Sequence, residues 1–120
     1  MTLRILFLLL AAIHVIPALA AVAPASLSRL YGVPASDSAL TTLLQHRAVL
    51  FGLLAAALAY AAFRPDIRWA ALAAVVVSMG AFVLIAASRG EMSGSLRSIF
   101  VADLAGLAIA ALAAVLLLRS

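Results

Sequence analysis

At 120 residues the chain has room for one domain, and 68% hydrophobic with 10% charged residues is far from a soluble domain, which is about half apolar and a quarter charged. A soluble fold this small cannot hide so much apolar surface, so the composition places the chain in the membrane class. The formal charge of +4 comes from arginines spread singly, with no basic run to track a nucleic acid, and the lack of cysteine excludes disulfides, thiol redox chemistry and zinc–thiolate sites.

The first apolar segment covers residues 5–22 and is broken only by His14 and Pro17. Arg4, the apolar stretch and Ala18-Leu19-Ala20 imitate a secretory signal with an A-x-A cleavage site. The two interruptions, and a length close to the roughly 20 residues a spanning helix needs, favour a retained span instead. Residues 23–40 form the longest connection, with Pro24, Gly32 and Pro34. Within it, Leu27, Leu30 and Tyr31 have the spacing of one or two helical turns lying at a membrane interface, and Gly32 stops them.

The second segment, residues 41–63, is polar in its first two turns and uninterrupted from Ala48. Arg64-Pro65-Asp66-Ile67-Arg68 is a tight turn: Pro65 disfavours helix at Arg64, and Asp66 suits a first helical turn. It predicts an antiparallel hairpin with the third segment, residues 69–87. After a short polar loop with Gly90 and Gly94, the fourth segment covers residues 98–118. Period-2 alternation is absent throughout, so these are helices and not strands. The expected fold is all-α: a four-helix transmembrane bundle, up-down-up-down, with a short interfacial segment between the first two spans. Arg4, Arg64, Arg68 and Arg119 then share one side and Arg29, Arg89 and Arg97 the other, an imbalance that leans the termini to the cytoplasm. Trp69 and Tyr31 suit interface anchors.

Leu44-Gln45-His46-Arg47-Ala48-Val49-Leu50-Phe51-Gly52-Leu53-Leu54, supported by His14-x-x-Pro17, Leu30-Tyr31-Gly32-Val33, Ala62-Phe63-Arg64-Pro65, Val77-Ser78-Met79 and Ala102-Asp103, resembles a family of small bacterial four-span membrane proteins with no established function. The likeness runs from about His14 to the end of the fourth segment and implies the same architecture in a bacterial inner membrane. Many members of that family carry the name phosphopantetheine adenylyltransferase. That chemistry belongs to a soluble α/β nucleotide-binding fold with a His-x-Gly-His phosphate site. This chain has neither that motif nor a glycine-rich strand-to-helix turn, so its residues do not support the name.

Asp103 carries the sharpest signal. A charge inside an apolar run costs about 2.5–3.5 kcal/mol on insertion scales, so it faces a partner or a wet cavity. At a rise of about 1.5 Å per residue, Asp103, Arg47 and His14 lie about 7, 9 and 12 Å from the same face. The spacing predicts an Arg47–Asp103 ion pair, either a clasp between the second and fourth spans or a site where Arg47 holds an anionic head and Asp103 orients it. Ala102, Gly106, Ala110 and Ala114 in the fourth segment, and Ala48, Gly52 and Ala56 in the second, are small stripes able to bring those helices together. Candidate ligand-binding residues are Arg47, Asp103, His46, His14 and Gln45, the last satisfying leftover donors and acceptors. His46 and Asp103 are the candidates for proton transfer. His46 sits about 100° round the helix from Arg47 and is expected to face the first or third span.

The leading expectation is a membrane protein binding a lipid-like or hydrophobic molecule at this cluster. A membrane-embedded isomerase or hydrolase, and an assembly protein whose cluster only fixes packing, are the alternatives; self-association stays open. No cofactor is expected, haem b between His14 and His46 being the alternative. No metal site is expected, because no close H-x-x-x-H or E-x-x-H spacing supports one. No repeated polar stripe suggests a channel.

Overall fold

Asp37 makes the second apolar segment start earlier than its hydropathy suggests. Its carboxylate accepts from the Leu40 amide at 3.0 Å, satisfying one of the orphan donors at a helix start. Thr41 and Thr42 turn their hydroxyls back onto the Asp37 and Ser38 carbonyls, which lets this polar first turn remain helical.

The computed structural model describes residues 1–34 and 36–120, all-helical and with no strand among the described residues. Helix α1 is Thr2–Ala18, α2 Leu27–Tyr31, α3 Ser38–Phe63, α4 Arg68–Ser88 and α5 Arg97–Arg119. Four of them are long and apolar enough to cross a membrane. Helix α1 begins before the first apolar residue expected of it because Arg4 is accommodated on its surface, with the guanidinium 5.5 Å from the Phe63 ring centroid.

The ends of the elements follow from single residues. Pro65 leaves Arg64 extended and closes α3. The carbonyls this strands are taken by Arg68, which donates from Nε to Ala61 at 3.0 Å and from Nη2 to Ala62 at 2.9 Å while lying over the Phe7 ring. Arg64 pairs with Asp66 and donates to the Tyr60 hydroxyl at 2.8 Å. Helix α4 ends in a Schellman motif: Glu91 N–H reaches the Ala86 carbonyl, Gly90 N–H reaches Ala87, and Gly90 sits at φ +70°. Gly32 stops α2, as its sequence position predicts, at φ +65°. A Cβ there would come 2.6 Å from Cβ of Ser95, so the end of α2 is pressed against the loop leading into α5.

Helix α1 packs on α3 and α5, and α4 packs on the same two, so α3 and α5 lie across from each other. The small stripes therefore do not bring α3 and α5 together, contrary to the sequence expectation. Gly52 faces Ala18 of α1, and Gly106 receives the Met79 thioether of α4 so closely that a Cβ would overlap it. Each stripe lets its helix approach a neighbour, which is the usual use of small residues between apolar helices.

Two apolar clusters fill the interior. One contains Leu6, Phe7, Leu10, Ala11, Leu58, Leu72, Val75 and Met79, and the other Ala20, Leu27, Tyr31 and Ala48. The first ends on α1 at Ala11 and the second begins at Ala20, just past the end of α1; on α5, Ile99 packs on the second and Leu107 on the first. His14 and Asp103 fall in the gap between them.

Candidate ligand cavity and the residues around it

His14 is 1% exposed, the one polar side chain buried among the described residues. Its Nδ1 lies 2.8 Å from the Leu10 carbonyl one turn earlier. A carbonyl can only accept, so Nδ1 carries a proton, and in the neutral ring Nε2 presents a lone pair. Nε2 has no hydrogen-bond partner among the described residues. A buried polar atom left in that condition costs about 1–3 kcal/mol.

His14 lines a cavity of about 280 Å³ walled by Ile13, Ile16 and Pro17 of α1, Leu30 and Tyr31 of α2, Phe51 of α3, and Ser98, Ile99, Ala102 and Asp103 of α5. Most of that wall is apolar. Asp103 is half-buried and forms no hydrogen bond or ion pair among the described residues. Burial pushes the Tyr31 phenol above its ordinary value; nearby Arg47 pulls it back and Asp103 pushes it further up. Tyr31 is therefore a neutral O–H donor at physiological pH. The cavity thus offers one lone pair, one carboxylate and two hydroxyls, from Tyr31 and Ser98, at the margin of an apolar space.

The expected Arg47–Asp103 ion pair does not form. Among the described residues the one ion pair is Arg64–Asp66. The Arg47 guanidinium instead lies 5.0 Å from the Phe51 ring centroid, 5.2 Å from Phe82 and 5.7 Å from Tyr31. The physical reason is the packing order: Asp103 is on α5, across from α3, whereas Phe82 is on the adjacent α4 and Phe51 is one turn along α3 itself. Aromatic faces attract a guanidinium by about 0.5–2 kcal/mol each, depending on desolvation. Arg47 borders a separate groove between α3 and α4 and is absent from the His14 cavity wall.

The other candidates sit apart. Gln45 donates from Nε2 to the Ala21 carbonyl at 3.0 Å, tying α3 to the turn after α1, and is not in the cavity wall. His46 is exposed, whereas its helical phase predicts a side chain turned toward the first or third span. His46 is absent from the wall of the His14 cavity, and no three of the described His, Asp and Glu side chains come together to hold a metal ion. Sequence reasoning missed Phe51, Phe82 and Ser98 and gave Tyr31 only an anchoring role. Phe51 could have been found, since it stands four residues after Arg47 on one helix face; Phe82 comes from a neighbouring helix far along the chain and left no local signal.

A scan of protein-family models and searches of the curated proteins and of the solved structures gave no match to this chain.

Proposed function

We propose that this chain is a small integral membrane protein of four spans, arranged up-down-up-down, that holds a lipid-like or hydrophobic small molecule by its polar head in the cavity between α1, α2, α3 and α5. Helix α3, at 26 residues, is about 39 Å long against a hydrocarbon thickness of about 30 Å. Apolar side chains face outward along the helices: Leu84 is 73% exposed and Val77 69%. Such a belt is untenable in water and natural in lipid. Of the charged residues only Arg47 and Asp103 lie well inside a long helix; the others cluster at helix ends and turns. The excess of arginine at the end holding Arg4, Arg64, Arg68 and Arg119 supports cytoplasmic termini, and the family resemblance supports a bacterial inner membrane.

The observation that carries the ligand reading is the orphaned Nε2 of His14 beside Asp103. Both are acceptors, so a ligand head bearing hydroxyl or amine hydrogens satisfies both, while the apolar wall takes the rest of the molecule. Binding fits better than proton transfer by His46 and Asp103, because His46 lies outside the cavity wall.

The test is mass spectrometry of small molecules that co-purify from native membranes with the parent and with His14→Phe, together with an absorbance scan of both samples. The parent is expected to carry a hydrophobic molecule that the variant lacks. Equal cargo in both proteins would overturn the reading, and a haem spectrum in the parent would replace it with the haem alternative.

A further inference from the structure

Arg47 is a cation with no anion in contact with it among the described residues. Among the described residues it forms no ion pair and no hydrogen bond, although it stands well inside α3 and is half-buried. The rings of Phe51, Phe82 and Tyr31 lie 5.0, 5.2 and 5.7 Å from its Cζ and account for the charge in part. Ring faces cannot accept all five N–H groups of a guanidinium, which are directed outward in its plane. A guanidinium at membrane depth with its N–H groups free of any contacting acceptor calls for a counter-ion.

The surroundings say what kind. Arg47 and Phe82 border a groove of about 560 Å³ between α3 and α4. Its opposing wall carries Ser78, whose hydroxyl makes no hydrogen bond among the described residues. The rest is apolar, with Leu50 and Ile85 more than half exposed along it. The one charge the groove offers is therefore positive, with a serine hydroxyl able to donate or accept, and hydrocarbon elsewhere. This is the inverse of the His14 cavity, whose polar groups include a carboxylate and an unpartnered lone pair.

The geometry points to a second site: the α3–α4 groove seats one anionic phospholipid, its phosphate held by Arg47 and an acyl chain lying inward along Leu50, Leu54 and Ala74. Arginine suits this role because its planar fork meets two phosphate oxygens at once. The aromatic rings hold the guanidinium plane in place before the lipid arrives, which lowers the entropy lost on binding. This site is independent of the ligand assigned to the His14 cavity.

The full chain in neutral detergent is titrated with phosphatidylglycerol, phosphatidylcholine or oleate, and bound molecules are counted by native mass spectrometry with thermal unfolding in parallel. The parent is expected to retain one phosphatidylglycerol at least about tenfold more tightly than phosphatidylcholine, a difference of about 1.4 kcal/mol. Arg47→Gln should lose that preference and Arg47→Lys keep part of it. Ala74→Phe fills the groove from its exposed wall with Arg47 intact, so it should also lose the bound lipid; it decides the matter if Arg47→Gln does not fold. His14→Phe should leave the preference unchanged, which separates this site from the other. Equal retention of phosphatidylglycerol and phosphatidylcholine by the parent, or undiminished preference in Ala74→Phe, overturns the proposal. Tighter binding of oleate than of phosphatidylglycerol overturns it in favour of a free fatty acid.

Discussion

His14 and Leu10 are joined by a hydrogen bond of 2.8 Å from imidazole Nδ1 to a carbonyl one helical turn back. That bond orients the ring and fixes which nitrogen remains for other chemistry. The carbonyl belongs to α1 and has a helical N–H partner already, so the imidazole N–H takes its second lone pair. His14 thus gains orientation from this contact more than stability.

His14→Phe should therefore cost little in the ligand-free protein. It removes an orphaned nitrogen whose burial costs about 1–3 kcal/mol, and a ring of similar shape refills the space. Thermal unfolding in detergent, after exhaustive removal of small molecules, is expected to show a midpoint equal to or above that of the parent. A clearly lower midpoint would mean that Nε2 is satisfied within the protein.

Asp103→Asn should have a small effect on stability, below about 1 kcal/mol. Removing one partner of a buried ion pair costs about 3–5 kcal/mol, but Asp103 has no such partner among the described residues. A double-mutant cycle with Arg47→Gln should give near-additive energies. A coupling energy above about 2 kcal/mol would show that the two side chains meet in the membrane.

Arg68 is expected to be the most sensitive arginine for folding. Arg68→Ala strips the Ala61 and Ala62 carbonyls of their side-chain donors and uncovers Phe7, and charge-assisted bonds of this kind contribute about 1.5–3 kcal/mol. Arg68→Lys should recover only part, because a point charge does not reproduce a fork that reaches two carbonyls. Unfolding midpoints of the three proteins in one detergent test this. Equal midpoints for Arg68→Lys and the parent would contradict the two-carbonyl cap.

Gly32→Ala should destabilise more than Gly90→Ala. Both glycines have positive φ, which costs an L-residue about 1–2 kcal/mol. At Gly90 nothing lies within 4 Å of the added Cβ, whereas at Gly32 it meets Ser95. Ser95→Gly should relieve part of the Gly32→Ala defect and none of the Gly90→Ala defect. Comparable losses at the two glycines, with no relief, would dissolve the contact between α2 and the α4–α5 loop.

The helices were legible because apolar run length and the residues Gly32, Pro65 and Gly90 say where each begins and ends. His14 and Asp103 were legible for the same reason, as polar groups interrupting apolar runs. Rotation of the helices was not. Helix α3 is apolar nearly all round, and such a helix has no amphipathic stripe to say which side meets which neighbour. The pairing of Arg47 with Asp103, the inward facing of His46 and the meeting of the α3 and α5 small stripes all required that missing phase. Each failed together with it. The Arg47 ring cluster depends on Phe82 and Tyr31, which reach it from separate elements.

Helix α2 spans only Leu27–Tyr31, yet it supplies Leu30 and Tyr31 to the cavity wall. A segment of that length has no helical stability of its own and exists because Leu27 and Tyr31 are buried against the long helices. Its amides should exchange with solvent hydrogen long before those of α1 or α3 do. Residence time in the His14 cavity would then track the local unfolding of five residues, and a substitution that loosens Gly32 or Ser95 would speed both arrival and departure while leaving every atom that touches the bound molecule unchanged.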